Sequence, residues 1–190
     1  MARVMINPFL LSFLGSVGDI VFKERYGMVY ASRRPVAKRR EFNAAQKAAQ
    51  ERFRQATRYA AKVMADPQAR VPYDMAAEEN ETHVQNLIVA DFLNAPSVDE
   101  IDLRGYDGRA GSTVRIRASD DFDVTAVTVS ILETTGGPIE SGVAILSAMN
   151  WGDWVYAATT SVSAGTRVRI EVTAKDRPGN TVTKSADTVV

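Results

Sequence analysis

Five oxygen-bearing side chains in the C-terminal half could gather on one hard cation: Asp120, Asp121 and Asp123 in a short run, and Asp176 and Asn180 on a later turn. Calcium takes about six to eight oxygen ligands, and carboxylates and amide carbonyls suit it. The spacing is not that of an EF-hand loop. Aspartate and asparagine also stabilise turns by bonding their own backbone. Two readings are therefore open for these residues: turn structure with no cofactor, or a calcium site.

Other groups able to do chemistry are few. The 190-residue chain has no cysteine and one histidine, which removes disulfides, thiolate nucleophiles, thiolate metal sites and two-imidazole metal sites together. His83 follows Thr82, a candidate helix cap, beside Glu78, Glu79 and Glu81. It reads as an exposed residue at a helix start, because a catalytic imidazole needs an oriented nucleophile and a third group that no motif supplies. No Gly-x-Ser-x-Gly elbow, phosphate-binding Gly-Lys loop or dinucleotide fingerprint occurs. The chain is expected not to be an enzyme. Trp151, Trp154 and Tyr156 could form a sugar-stacking platform if exposed, but Trp154 and Tyr156 share one strand face and read as core.

Charge is balanced overall, with 23 basic and 23 acidic residues, yet unevenly distributed. Residues 1–96 carry a net of about +4 and residues 97–190 about −4. The basic patch Arg33, Arg34, Lys38, Arg39 and Arg40 is the sharpest electrostatic feature. A solvated face is its simplest reading. An acidic partner for residues 33–40, including the acidic half of a second copy, is the next. Nucleic acid ranks below both, since stacking aromatics are sparse there.

These residues must be positioned by two kinds of element. Asn43 to Ala65 predicts a helix, with Asn43 and Gln46 as a capping pair and an apolar stripe of Ala45, Ala49, Phe53, Ala56, Ala60 and Val63. Pro72 at a first helical position predicts a short second helix. A third is expected from Thr82 as cap to about Asn94, with Val84, Leu87, Ile88 and Phe92 inside and Pro96 ending it. From Val98 onward the pattern alternates, as in Val114, Ile116 and Ala118 or Val168, Ile170 and Val172. Turn residues such as Asp107-Gly108, Gly136-Gly137 and Pro178-Gly179-Asn180 punctuate it. About seven short strands at intervals of about 10 residues predict a β-sandwich.

Two passages of this half carry a resemblance. Ser119-Asp120-Asp121-Phe122-Asp123-Val124 precedes a strand of the Val-x-Val-x-Ile type, and Val172-Thr173-Ala174-Lys175-Asp176-Arg177-Pro178-Gly179-Asn180 precedes the last strand. Both resemble the bacterial immunoglobulin-like domains of surface and phage proteins, across roughly residues 97–190. The resemblance implies an immunoglobulin-like sandwich and says little about ligand. The N-terminal half, with Gly15-x-x-Gly18-Asp19 and Gln50-Glu51-Arg52-Phe53, is similar to uncharacterised bacterial proteins.

Residues 4–14 are the most hydrophobic stretch of the chain. Pro8 interrupts the apolar run and no convincing cleavage site follows, so a packing element is expected there rather than a secretory signal. The stretch is also too short for a membrane span of about 20 residues. Residues 18–25 and 28–33 around Tyr26-Gly27 predict a β-hairpin, marginal by itself. An assembly interface is expected at Val4, Ile6, Phe9, Leu11, Phe13, Ile20, Phe22, Val29 and Tyr30.

The expected fold is α+β: an N-terminal arm and hairpin (1–41), a small helical module (42–96), and an immunoglobulin-like antiparallel sandwich (97–190). The expected function is that of a non-enzymatic structural protein, a homo-oligomer that assembles by strand addition or arm exchange into an extracellular filament or larger particle. The alternative is a surface or phage-particle decoration module that recognises carbohydrate or protein through the sandwich loops. Either reading places it outside the cell, at the cell surface or on a virion.

Overall fold

The computed structural model describes residues 2–3, 15–25, 28–35, 41–148 and 152–190. Two compact units divide the chain, Met1–Asn43 and Ala44–Val190.

In the first unit, β1 (Ala2–Arg3), β2 (Gly15–Val17), β3 (Ile20–Arg25) and β4 (Met28–Arg33) form an antiparallel sheet of order β1-β4-β3-β2. The expected hairpin is present as β3 and β4, paired from Ile20 with Arg33 to Arg25 with Met28. Gly18 and Asp19, read above as the start of its first strand, instead form a tight turn: Val17 pairs directly with Ile20. Gly18 sits at φ 57°, a conformation that glycine adopts without a Cβ clash. Of the expected interface, Val29 is buried, Phe22 and Tyr30 are half-buried and Ile20 is exposed. Val4, Ile6, Phe9, Leu11 and Phe13 lie outside the described residues.

The second unit opens with three helices, α1 (Ala44–Ala65), α2 (Pro67–Glu79) and α3 (Val84–Leu93). The alanine stripe of α1 is buried only in its C-terminal half, at Ala56, Ala60 and Val63, while Ala45, Ala49 and Phe53 are exposed. Small side chains let α1 lie close to α3, where Tyr59 and Phe92 place their rings 5.3 Å apart. Arg52 donates to the Leu93 carbonyl there at 2.9 Å, satisfying an orphan group at the end of α3.

The helix boundaries depart from expectation twice. Pro67, not Pro72, occupies the start of α2, and Pro72 lies inside that helix. The reason is Asp66, whose carboxylate accepts from the Gln68 and Ala69 amides at 3.0 and 3.3 Å and so caps the helix one turn earlier. Replacing Asp66 by alanine should cost about 1 kcal/mol in a urea titration. An unchanged midpoint would mean that packing alone holds this end. The second departure is at α3: Thr82 donates its amide to the Ala77 carbonyl at 3.0 Å, and Glu81 at φ 49° reverses the chain. Thr82 thus closes α2, and His83 takes the cap position of α3 with no side-chain bond to the helix end.

Eight strands follow: β5 (Ser97–Asp102), β6 (Thr113–Ser119), β7 (Val124–Glu133), β8 (Pro138–Val143), β9 (Ile145–Leu146), β10 (Asp153–Ala157), β11 (Arg167–Asp176) and β12 (Thr181–Val189). They form two antiparallel sheets, β5-β6-β10-β9 and β12-β11-β7-β8. Burial alternates along β6, β7 and β11, as period-two side chains require when one sheet face is covered. The covered faces share one core, with Val114, Ile116, Trp154 and Tyr156 from the first sheet and Val129, Ile131, Ile170 and Val172 from the second. The fold is therefore α+β, built on a β-sandwich.

Candidate functional site

Two turns at one end of the sandwich carry the residues singled out by type and spacing. After β6, Asp120 Oδ2 accepts from the Phe122 amide at 3.4 Å and the Asp123 amide at 3.1 Å. This aspartate turn directs Phe122 toward the helices, where it stacks on Tyr73 of α2 with centroids 4.3 Å apart. The Arg177 guanidinium lies 5.9 Å from the Phe122 ring centroid and pairs with Asp123 at 3.3 Å.

After β11, Asp176 Oδ1 accepts from the Gly179 and Asn180 amides at 2.8 and 2.6 Å. Gly179 closes this turn at φ 98°, which side-chain-bearing residues rarely adopt. The Asn180 side-chain amide donates to Asp176 Oδ2 at 2.7 Å and to the carbonyls of Phe92 and Asn94 at 3.2 and 3.1 Å. Asn94 in turn donates from its side chain to Asp121 Oδ2 at 2.6 Å. The two turns therefore hold the C-terminal end of α3, whose last carbonyls have no partners within the helix.

Asp91 is the residue that sequence reasoning missed. It lies on α3 in register with Val84 and Ile88, so the apolar stripe already contained an aspartate where a core residue was due. It is 1% exposed. Its Oδ2 accepts from the Tyr73 hydroxyl, whereas its Oδ1 and the Oδ1 of Asp120 are buried without a hydrogen-bond partner. Asp91, Asp120 and Asp176 bring carboxylate oxygens within 4.8 Å of one another.

The electrostatics follow from that crowding. Burial pushes the Asp91 carboxyl up to about 7; the Tyr73 bond opposes this rise, and the negative charges of Asp120, Asp176 and Asp121 reinforce it. Asp120 is also raised by burial, against the stabilising pull of the Asp123 and Phe122 amides. The Tyr73 hydroxyl is driven upward by burial and then by its bond to Asp91, so it remains a donor. An all-oxygen, acidic set of this kind can hold a proton or a hard cation.

The five residues proposed for a cation thus separate. Asp120 and Asp176 come together, whereas Asp121 accepts from Asn94, Asp123 pairs with Arg177 and the Asn180 amide donates. Of the basic patch, Arg33 and Arg34 are exposed, and Lys38, Arg39 and Arg40 lie outside the described residues. Trp154 and Tyr156 are core residues, as their shared strand face predicts, and Trp151 lies outside the described residues. His83 is exposed.

No family model matches the chain, and no curated protein does. Among solved structures, it is similar over 50% of its length to CopC from Methylosinus trichosporium OB3b, at 18% identity and a TM-score of 0.38, covering 92% of that chain. It is also similar over 50% of its length to a conjugative transposon lipoprotein from Bacteroides eggerthii DSM 20697, at 13% identity and a TM-score of 0.25, covering 94% of that chain.

Proposed function

We propose that the chain is a non-enzymatic structural protein that displays an immunoglobulin-like sandwich and assembles with copies of itself through its N-terminal segment. The observation that carries this reading is the first-unit sheet. Its outer strands are short: β1 pairs only with Tyr30 and Ala31 of β4, and β2 only with Ile20, Val21 and Phe22 of β3. Among the described residues, the rest of each inner strand has an open side, and unpaired strand edges recruit strands from other chains. Val17 and Ile20 are 58% and 45% exposed beside one of these edges.

Strand order supports the immunoglobulin-like part of the reading. With β5 to β12 taken as A, B, C, C′, D, E, F and G, the sheets read A-B-E-D and G-F-C-C′, the arrangement of that architecture. Assembly of this kind suits an extracellular filament or a cell-surface or virion particle. Among the described residues no helix is long and apolar enough to cross a membrane. The opposite net charges of the two halves favour self-association that weakens with salt.

Sizing chromatography with light scattering tests the proposal on the full chain and on a chain lacking residues 1–34. The full chain should run as an oligomer whose mass falls as salt is raised, and the shortened chain as a monomer. A full-length monomer, or an oligomer unaffected by the deletion, overturns it.

A further inference from the structure

We propose that Asp91, Asp120 and Asp176 form a calcium site that ties α3 to the end of the sandwich. The inference is independent of how copies of the chain assemble. Three elements supply the carboxylates: α3, the turn after β6 and the end of β11. Asp91 and Asp176 are each 1% exposed, and none of the ion pairs among the described residues includes any of the three. Buried carboxylates normally have a cationic partner or a full set of donors. Here Asp91 Oδ1 and Asp120 Oδ1 have neither.

The unused oxygens are the informative feature. Each carboxylate is already oriented by hydrogen bonds: Asp91 through Oδ2 by the Tyr73 hydroxyl, Asp120 through Oδ2 by two backbone amides, and Asp176 through both oxygens by two backbone amides and the Asn180 side chain. Such bonds orient the ligands of metal sites. One carboxylate oxygen from each of the three lies within 4.8 Å of the others, and in this group Asp91 Oδ1 and Asp120 Oδ1 have no donor. Two oxygens on opposite sides of a calcium ion lie at most about 5 Å apart, since each bond is about 2.3–2.6 Å.

The donor set selects the ion. It contains only oxygen, which excludes the softer metals that imidazole and thiolate favour. Magnesium demands shorter bonds and near-ideal octahedral geometry and gives up its water reluctantly, which does not suit carboxylates held in a buried seam. Calcium tolerates irregular coordination and can fill its remaining places with water and carbonyl oxygens.

Thermal unfolding of the full chain after chelator treatment provides the test, with added calcium chloride, magnesium chloride or EDTA. At a calcium concentration about 100-fold above its dissociation constant the midpoint should rise by about 5–10 °C, with little response to magnesium. Calorimetric titration should give one calcium ion per chain. Asp91→Asn should fold in EDTA with a midpoint equal to or above that of the parent, because a buried charge is removed, and should show no calcium response. If Asp91→Asn fails to fold, Asp120→Asn on the half-buried turn carries the same expectation. A parent midpoint unmoved by calcium and EDTA overturns the proposal. So does an undiminished calcium shift in the variants, which would place the ion elsewhere, or a shift with magnesium alone.

Discussion

Replacing Tyr73 by alanine lowers the free energy of unfolding by about 3–5 kcal/mol, read as a shift of the urea midpoint at unchanged slope. Tyr73 is the largest of the fully buried side chains among the described residues. It does three things at once: it fills the space between the helices and the sandwich, stacks on Phe122, and donates to Asp91. Truncation loses the apolar area, opens a cavity and removes the donor to a buried carboxylate. Tyr73→Phe separates these effects. It keeps the ring and the stack, so its loss should be about 1–2 kcal/mol, from the hydroxyl alone. A Tyr73→Ala midpoint close to that of the parent would mean that the helices unfold without reference to the sandwich.

Asp176→Ala should cost about 3 kcal/mol or more when measured in EDTA, where loss of a bound ion cannot contribute. This carboxylate gathers the Gly179 and Asn180 amides and the Asn180 side chain within hydrogen-bond distance, and it is as buried as Asp91. Removing it strands donors and frees Asn180, whose amide also holds the Phe92 and Asn94 carbonyls at the end of α3. Some relief of repulsion with Asp91 and Asp120 offsets part of the loss. Native-state amide exchange supplies a local readout: Gly179 and Asn180 should exchange faster in the variant, and the central amides of β11 should fall only by the global loss. Unchanged protection at Gly179 and Asn180 would show that the turn is held by its backbone alone.

Much of the architecture is legible in periodicity. The alternation of Val168, Ile170 and Val172 survives as the buried face of β11 because neighbouring side chains on a strand must point to opposite faces. The helix boundaries were less legible, since Pro72 satisfies a rule for helix starts and yet the helix begins at Pro67. The competition was decided by whether a side chain found the free amides of the first turn, and Asp66 did. Phe53 belonged to the apolar stripe of α1 by spacing, yet only the C-terminal half of that stripe meets α3.

The carboxylate cluster divides most sharply between the two sources. Local sequence offered Asp120 and Asp176 a turn role beside the cation role, and the turn part is local: each accepts from amides within four residues of itself. Local sequence also marked the composition break at Pro96. Asp121, Asp123 and Asn180 looked equally suited to a cation, and only their partners on other elements, Asn94, Arg177 and the end of α3, assign them elsewhere. Asp91 stands 29 and 85 positions before its two companions in the chain. No local rule links residues so far apart. Their meeting depends on how α3 lies against two turns of the sandwich, and that placement is set by packing of Tyr73, Ile88 and Phe122, which sequence spacing does not encode.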